Sequence, residues 1–306
     1  MRPMIATVMS LMVLAASQAT AAPRVDKNVV YGMYSGMALL LDVHYPEQSN
    51  GYGVVFVAGS GWRAPLTYDG PGLKDRELDT SVLPLARAGY TVFTISHRAT
   101  PRFQNPAPLE DVQRAVRFVR SHAKQYGIDP SRIGGVGGSS GAHLVGLTTM
   151  IGAPGVSDDR DPVEREPATL QCLVLRAAPS DLRAMAGGDG VVLMALFMGI
   201  PPGNSPPVKK AYTEASPIAH VSRLAPPVLL IHGDADKTVP YAQSVAMEKA
   251  LRAVDVPVKL VTIPGGAHGA DFGARKTPHP EWPDYTGEMI QWLDSHLKAP
   301  PPDRRH

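Results

Sequence analysis

The stretch Arg132-Ile133-Gly134-Gly135-Val136-Gly137-Gly138-Ser139-Ser140-Gly141-Ala142-His143-Leu144-Val145 changes character halfway along. Its beginning is short, apolar and glycine-bounded, as a buried strand is, and its end can start a helix. Between them Gly137-Gly138-Ser139-Ser140-Gly141 reads G-x-S-x-G. In a strand–turn–helix setting this spacing predicts a serine on a strained turn, its hydroxyl lifted clear of a sheet. The glycines let two backbone segments pass close together. The helix that follows would turn N–H donors and positive potential toward any oxyanion formed beside the serine. Taken alone, the same five residues also read as a glycine-rich turn with an exposed serine. A phosphate-binding reading is disfavoured, because the Gly-Lys-Ser/Thr ending of a P-loop and a G-x-G-x-x-G with a matching acidic residue are both missing.

Outward from this turn, short runs rich in Val, Ile and Leu occur at 38–45, 53–58, 90–96, 132–136, 170–177, 227–232 and 256–263, each bounded by Gly, Pro or Asp. They are expected to be strands. Residues 109–125 carry Val112, Ala115, Val116 and Val119 at helical spacing, and 241–253 and 285–297 repeat the pattern. Buried strands alternating with helices imply an α/β fold, a mostly parallel central sheet flanked by helices. Residues 181–221 break the rhythm with Gly187-Gly188, Pro201-Pro202 and Pro206-Pro207, and are read as a small cap-like insertion over the strand ends. Their apolar run either walls a pocket, with Phe197 and Met198 as candidate lining residues, or packs on the core.

A serine nucleophile needs a base, and the base an orienting acid. Ile231-His232-Gly233-Asp234-Ala235-Asp236 follows an apolar run, which places Asp236 on a loop at a strand's carboxyl end as the candidate acid. Asp234 is its rival, with the more ordinary role of holding the turn. Pro264-Gly265-Gly266-Ala267-His268-Gly269 offers His268 as the base at the same sheet edge. His143 and His232 are expected to be hydrogen-bonded core residues. After the strand at 53–58, Ala58-Gly59-Ser60-Gly61-Trp62 supplies a loop whose Ser60 and Gly61 N–H groups, with that of Ser140, are candidate oxyanion donors, and whose Trp62 is a candidate pocket residue.

Composition narrows the choices further. With 44% hydrophobic and 19% charged residues, the 306-residue chain matches a packed domain rather than a disordered one. Thirty basic and 28 acidic residues are scattered, so no basic stripe suggests nucleic acid. The single cysteine, Cys172, allows neither an internal disulfide nor a paired-cysteine zinc cage, and no metal site is expected. Residues 1–21 have the layout of a secretory signal peptide: Arg2, an apolar run, then Ala19-Thr20-Ala21. The run is shorter than a bilayer needs, so export to the periplasm or beyond is expected, without stable membrane insertion. One domain is expected over 22–299, followed by a flexible tail at 300–306.

These motifs together resemble the α/β-hydrolase superfamily, and within it the bacterial feruloyl and acetyl esterase-like group (BD-FAE-like) near the hormone-sensitive lipase type. The likeness is also carried by Leu41-Asp42-Val43-His44-Tyr45-Pro46, by Ala107-Pro108-Leu109-Glu110-Asp111, by Tyr126-Gly127-Ile128-Asp129-Pro130-Ser131-Arg132-Ile133 and by Ala215-Ser216-Pro217-Ile218-Ala219-His220-Val221. The order Ser139, Asp236, His268 is that superfamily's order. One departure stands out: relatives commonly read His-Gly-Gly-Gly-Trp where this chain has Ala58-Gly59-Ser60-Gly61-Trp62, so the loop-bracing histidine is absent. The resemblance implies a cofactor-independent serine esterase acting on small acyl esters through an acyl-enzyme, with acetyl or feruloyl groups on carbohydrate as candidate substrates. An amidase or formamidase with the same three residues, and a non-catalytic binding protein, remain alternatives. Oligomeric state is not legible.

Overall fold

Five stretches of five or six residues are buried on both faces, and that alone dictates their place. Gly53–Val57 (β3), Thr91–Ile95 (β4), Ile133–Gly138 (β5), Cys172–Arg176 (β6) and Val228–Gly233 (β7) have no exposed position. Such strands satisfy their backbone only in the middle of a sheet covered on both sides. The computed structural model describes residues 24–64, 72–185, 190–273 and 280–298. In it these strands join Val25–Tyr34 (β1), Met37–His44 (β2) and Val258–Ile263 (β8) in one eight-stranded sheet of order β1-β2-β4-β3-β5-β6-β7-β8. Only β2 pairs antiparallel, to β1 and β4; the other pairs are parallel. The expected leader at 1–21 and tail at 300–306 lie outside the described residues.

Parallel neighbours need crossovers, and helices supply them. They are Leu83–Arg87 (α1), Ala107–Ser121 (α2), Ala123–Tyr126 (α3), Ser140–Met150 (α4), Gly190–Met198 (α5), Pro206–Glu214 (α6), Ala242–Arg252 (α7) and Tyr285–Leu293 (α8). The period-2 alternation of β3 divides the core: Val55 and Val57 join the α2 and α4 side, Val54 and Phe56 the α1 and α8 side. The sequence reading expected one helix over 109–125. The structure breaks it at His122, whose φ of −102° and ψ of 14° leave the helical region.

β1 was absent from the sequence reading. It is an edge strand with one buried residue, Tyr31, and two irregularities in its pairing with β2, so it shows no apolar run. Its signal was the turn Ser35-Gly36, where φ is +46° and +81° as a two-residue primed hairpin turn requires. The insertion holds α5 and α6. Phe197 and Met198 of α5 are buried, whereas Val192 and Leu196 are exposed.

Because β4 lies between β2 and β3, the chain runs from β3 to β4 in one direction along the sheet and from β5 onward in the other. The strand order therefore reverses beside β3 and β5, and in open parallel sheets the crevice at the carboxyl ends of such strands receives ligands.

Every residue of α4 is buried. His143 on its inner side accepts from Trp62 Nε1 at 3.2 Å through Nδ1 and donates Nε2–H to the Ala215 carbonyl at 2.8 Å. Burial pushes its pKa down to about 4 from 6.5, so the folded chain holds it neutral. A depressed folded value gives stability that is complete above pH 6.5 and lost as pH falls toward 4, because the unfolded chain takes up the proton first. Urea unfolding at pH 7.5 and pH 4.5 checks this: the loss of stability on acidification is expected to be smaller in His143→Gln than in the wild type, whatever the variant's stability at pH 7.5.

Candidate active site

Ser139 stands between β5 and α4 with φ 49° and ψ −121°, a backbone conformation that side-chain-bearing residues rarely adopt. Its neighbours explain how this is held. A Cβ at Gly141 would lie 2.0 Å from the Val57 carbonyl oxygen, and one at Gly137 would lie 2.6 Å from the Ala142 nitrogen. Only glycine permits that approach. The Ser139 N–H donates to the Arg176 carbonyl at 2.8 Å, and its own carbonyl accepts from His143 N–H at 3.0 Å.

The loops after β7 and β8 complete the site. His268 Nε2 lies 2.9 Å from Ser139 Oγ, and Nδ1 lies 2.6 Å from Asp236 Oδ2. The carboxylate accepts, so Nδ1 carries the proton and Nε2 is left to take one from serine. Asp236 Oδ1 accepts the N–H groups of Thr238 and Val239 at 2.8 and 2.9 Å. Burial pushes the carboxyl pKa up, but hydrogen bonds from His232 and His268 prevail and hold it far below the usual carboxylate range. Asp234 does accept the Gly265 N–H at 2.6 Å, tying one loop to the other.

The His232 contact with Asp236 escaped the sequence reading. His232 Nε2 sits 3.2 Å from Asp236 Oδ2 and 3.0 Å from the Val239 carbonyl, with Nδ1 2.7 Å from Ser244 Oγ. A carbonyl only accepts, so Nε2 bears the proton and Nδ1 accepts from Ser244. The clue was its i,i+4 spacing from Asp236 across a turn.

A cavity of about 270 Å³ opens over Ser139 and His268 and is walled by the Gly59–Gly61 loop and Leu193. Of the three expected oxyanion donors, the N–H of Ser60 is engaged by Ser140 Oγ at 3.0 Å. Those of Gly61 and Ser140 have no backbone or side-chain acceptor among the described residues. The expected pocket residues are a correction. Trp62, Phe197 and Met198 are 2%, 0% and 8% exposed and do not line this cavity. Trp62 stacks on Phe197 with ring centroids 4.7 Å apart, because large aromatic surface favours burial and His143 gives the indole N–H an acceptor there. Leu193, one turn from Phe197 on α5, reaches the cavity instead, and Arg63, Arg76, Glu77 and Arg176 also border it. Leu193 belongs to the apolar run of 181–221 that the sequence offers as a pocket wall, whereas the four charged residues carry no such expectation. The one visible clue was Arg176, a charge closing the apolar run of β6. Among the described residues no group of three or more His, Cys, Asp or Glu is arranged to hold a metal, and no helix is long and apolar enough to cross a membrane.

Comparison with known proteins agrees with this architecture. A probable carboxylic ester hydrolase, LipM of Mycobacterium tuberculosis, is 28% identical over 262 residues, covering 83% of this chain and 58% of the relative. An acetylxylan esterase of Xylanibacter ruminicola is 25% identical, covering 84% and 47%. The chain thus spans about half the length of the curated relatives it matches. Two solved structures match over 90% of this chain and 97% of their own. A truncated carbohydrate esterase from gut microbiota has TM-score 0.74 at 26% identity, and an acetyl ester-xyloside bifunctional hydrolase from Caldicellulosiruptor lactoaceticus has 0.73 at 27%. Residues 41–251 match the BD-FAE family model, a span that runs from β2 through the Ser139 turn and Asp236 to α7, and the chain belongs to the BD-FAE family of α/β-hydrolases.

Proposed function

We propose that this protein is a serine esterase that hydrolyses short acyl esters, acetyl groups on carbohydrate foremost, through an acyl-enzyme on Ser139. The observation that carries the reading is the unbroken hydrogen-bonded series Asp236–His268–Ser139, with the serine raised on a strained turn. His268 Nε2 takes the Ser139 proton as Oγ attacks the ester carbonyl carbon. The carbonyl oxygen gains charge and is met by the N–H groups of Gly61 and Ser140, the latter at the N-terminus of the eleven-residue α4. His268 then protonates the departing alcohol, and water repeats the attack on the acyl-serine. Asp236, kept ionised, fixes the imidazole tautomer and offsets the charge of the imidazolium.

The acyl preference rests on Leu193. A Cβ at Gly61 would lie 2.8 Å from Leu193 Cδ1, so this side chain closes the cavity against the oxyanion loop. The carbohydrate preference rests on what the acetylxylan esterase and carbohydrate esterase relatives are named for. An amidase would use the same three residues, and no contact in this cavity favours it. Export through the leader at 1–21 is part of the proposal and rests on that segment's sequence alone.

Three measurements test these statements. Purified protein should hydrolyse p-nitrophenyl acetate and acetylated xylan, and Ser139→Ala should lower kcat at least about a thousandfold; a wild type inactive on every short ester would favour a non-catalytic protein. For Leu193→Ala, the ratio of kcat/KM for butyrate over acetate esters should rise about tenfold, and an unchanged ratio removes Leu193 from acyl selection. N-terminal sequencing of protein from the periplasm or medium should begin at Ala22; retention of residues 1–21 in cytoplasmic material contradicts export.

A further inference from the structure

The loop Ala58-Gly59-Ser60-Gly61 carries no histidine to brace it, yet it is held. Glu77 Oε1 accepts the Gly59 N–H at 2.7 Å, while Oε2 meets Arg176 Nη2 in a close ion pair. The same guanidinium donates through Nη1 to the Ala270 carbonyl at 3.1 Å, two residues beyond His268. The Arg176 carbonyl in turn holds the Ser139 N–H. One ion pair therefore touches the oxyanion loop, the nucleophile turn and the base loop. Its side chains are only 4% and 10% exposed, and they border the cavity over Ser139.

The pair has features that packing alone does not require. Glu77 has a left-handed backbone, φ 58° and ψ 25°, which costs energy in a residue other than glycine. Arg176 Nε is buried without a hydrogen-bond partner among the described residues, a cost accepted while the Nη atoms reach Glu77 and Ala270. Cβ atoms placed on Gly138 and Gly59 would meet the Glu77 carboxylate at 2.9 and 3.1 Å, so the acid lies against the two segments that flank Ser139. A bare carboxylate there would oppose the negative charge growing on the substrate oxygen; paired with Arg176 it does not.

We propose that Glu77 and Arg176 are positioning residues of the esterase site: the pair sets the three loops relative to one another in place of the missing histidine and neutralises the carboxylate beside the oxyanion position. The inference rests on the esterase reading. Neither residue exchanges a proton or a bond with substrate.

Steady-state kinetics on p-nitrophenyl acetate with Glu77→Gln, Arg176→Met and the double variant test it, each variant first shown folded by circular dichroism and thermal melting. Glu77→Gln keeps an acceptor for Gly59 and should lose about tenfold in kcat. Arg176→Met leaves the carboxylate uncompensated and should lose about a hundredfold, with KM within about threefold of wild type in both. The double variant should recover to about the level of Glu77→Gln, an outcome that a purely structural ion pair does not give. If Arg176→Met does not fold, Arg176→Lys replaces it, and kcat should then stay within about threefold of wild type because the charge is retained. The proposal is overturned by unchanged kcat in Glu77→Gln and Arg176→Met, by a rise in KM with kcat preserved, or by a double variant worse than either single one. An inactive wild type overturns the esterase reading and this one with it, whereas an active wild type with indifferent variants overturns this one alone.

Discussion

The contact on which the rest depends is the approach of the Gly141 backbone to the Val57 carbonyl, a place where a methyl group would stand 2.0 Å from oxygen. That proximity clamps the start of α4 against the end of β3. It obliges the intervening chain to turn within a few residues, forcing Ser139 to positive φ and lifting its hydroxyl above the sheet. It also sets the N-terminus of α4 beside the loop that leaves β3, so the nucleophile and its backbone donors share one origin. The strain at Ser139 is sustained because β5 and α4 are wholly buried and leave the turn no softer route.

Legibility in the sequence follows burial and periodicity. The central strands announced themselves because both faces are apolar, and α2 because Val112, Ala115, Val116 and Val119 recur at helical spacing. Ser139, Asp236 and His268 are legible because each sits just past the carboxyl end of a readable strand, the serine and histidine among glycines. β1 was invisible for the opposite reason: an edge strand exposes one face and needs no apolar run. Trp62, Phe197 and Met198 were misassigned because apolarity near a site does not say whether a side chain lines the cavity or supports its wall. Glu77 and Arg176 were overlooked because their meaning arises only in pairing across 99 residues of sequence.

The electrostatics of the site are arranged in depth. Asp236 is a fully buried charge in direct contact with the base, and its low pKa reflects donors that more than offset desolvation. Glu77 is a second acid at the same cavity with a different partner. Two carboxylates thus serve one small site in separate ways, one facing the imidazole and the other the arginine that anchors the turn.

The double use of Asp236 bears on how the carboxylate is held in place. His268 is partly open to solvent, with 22% of its side chain accessible, whereas His232 is sealed inside with Ser244. Two backbone amides and this inner imidazole anchor the carboxylate by bonds that do not involve His268. The acceptor of the outer ring thus owes its position to neither His268 nor Ser139, as a latch owes its place to the frame and not to the door.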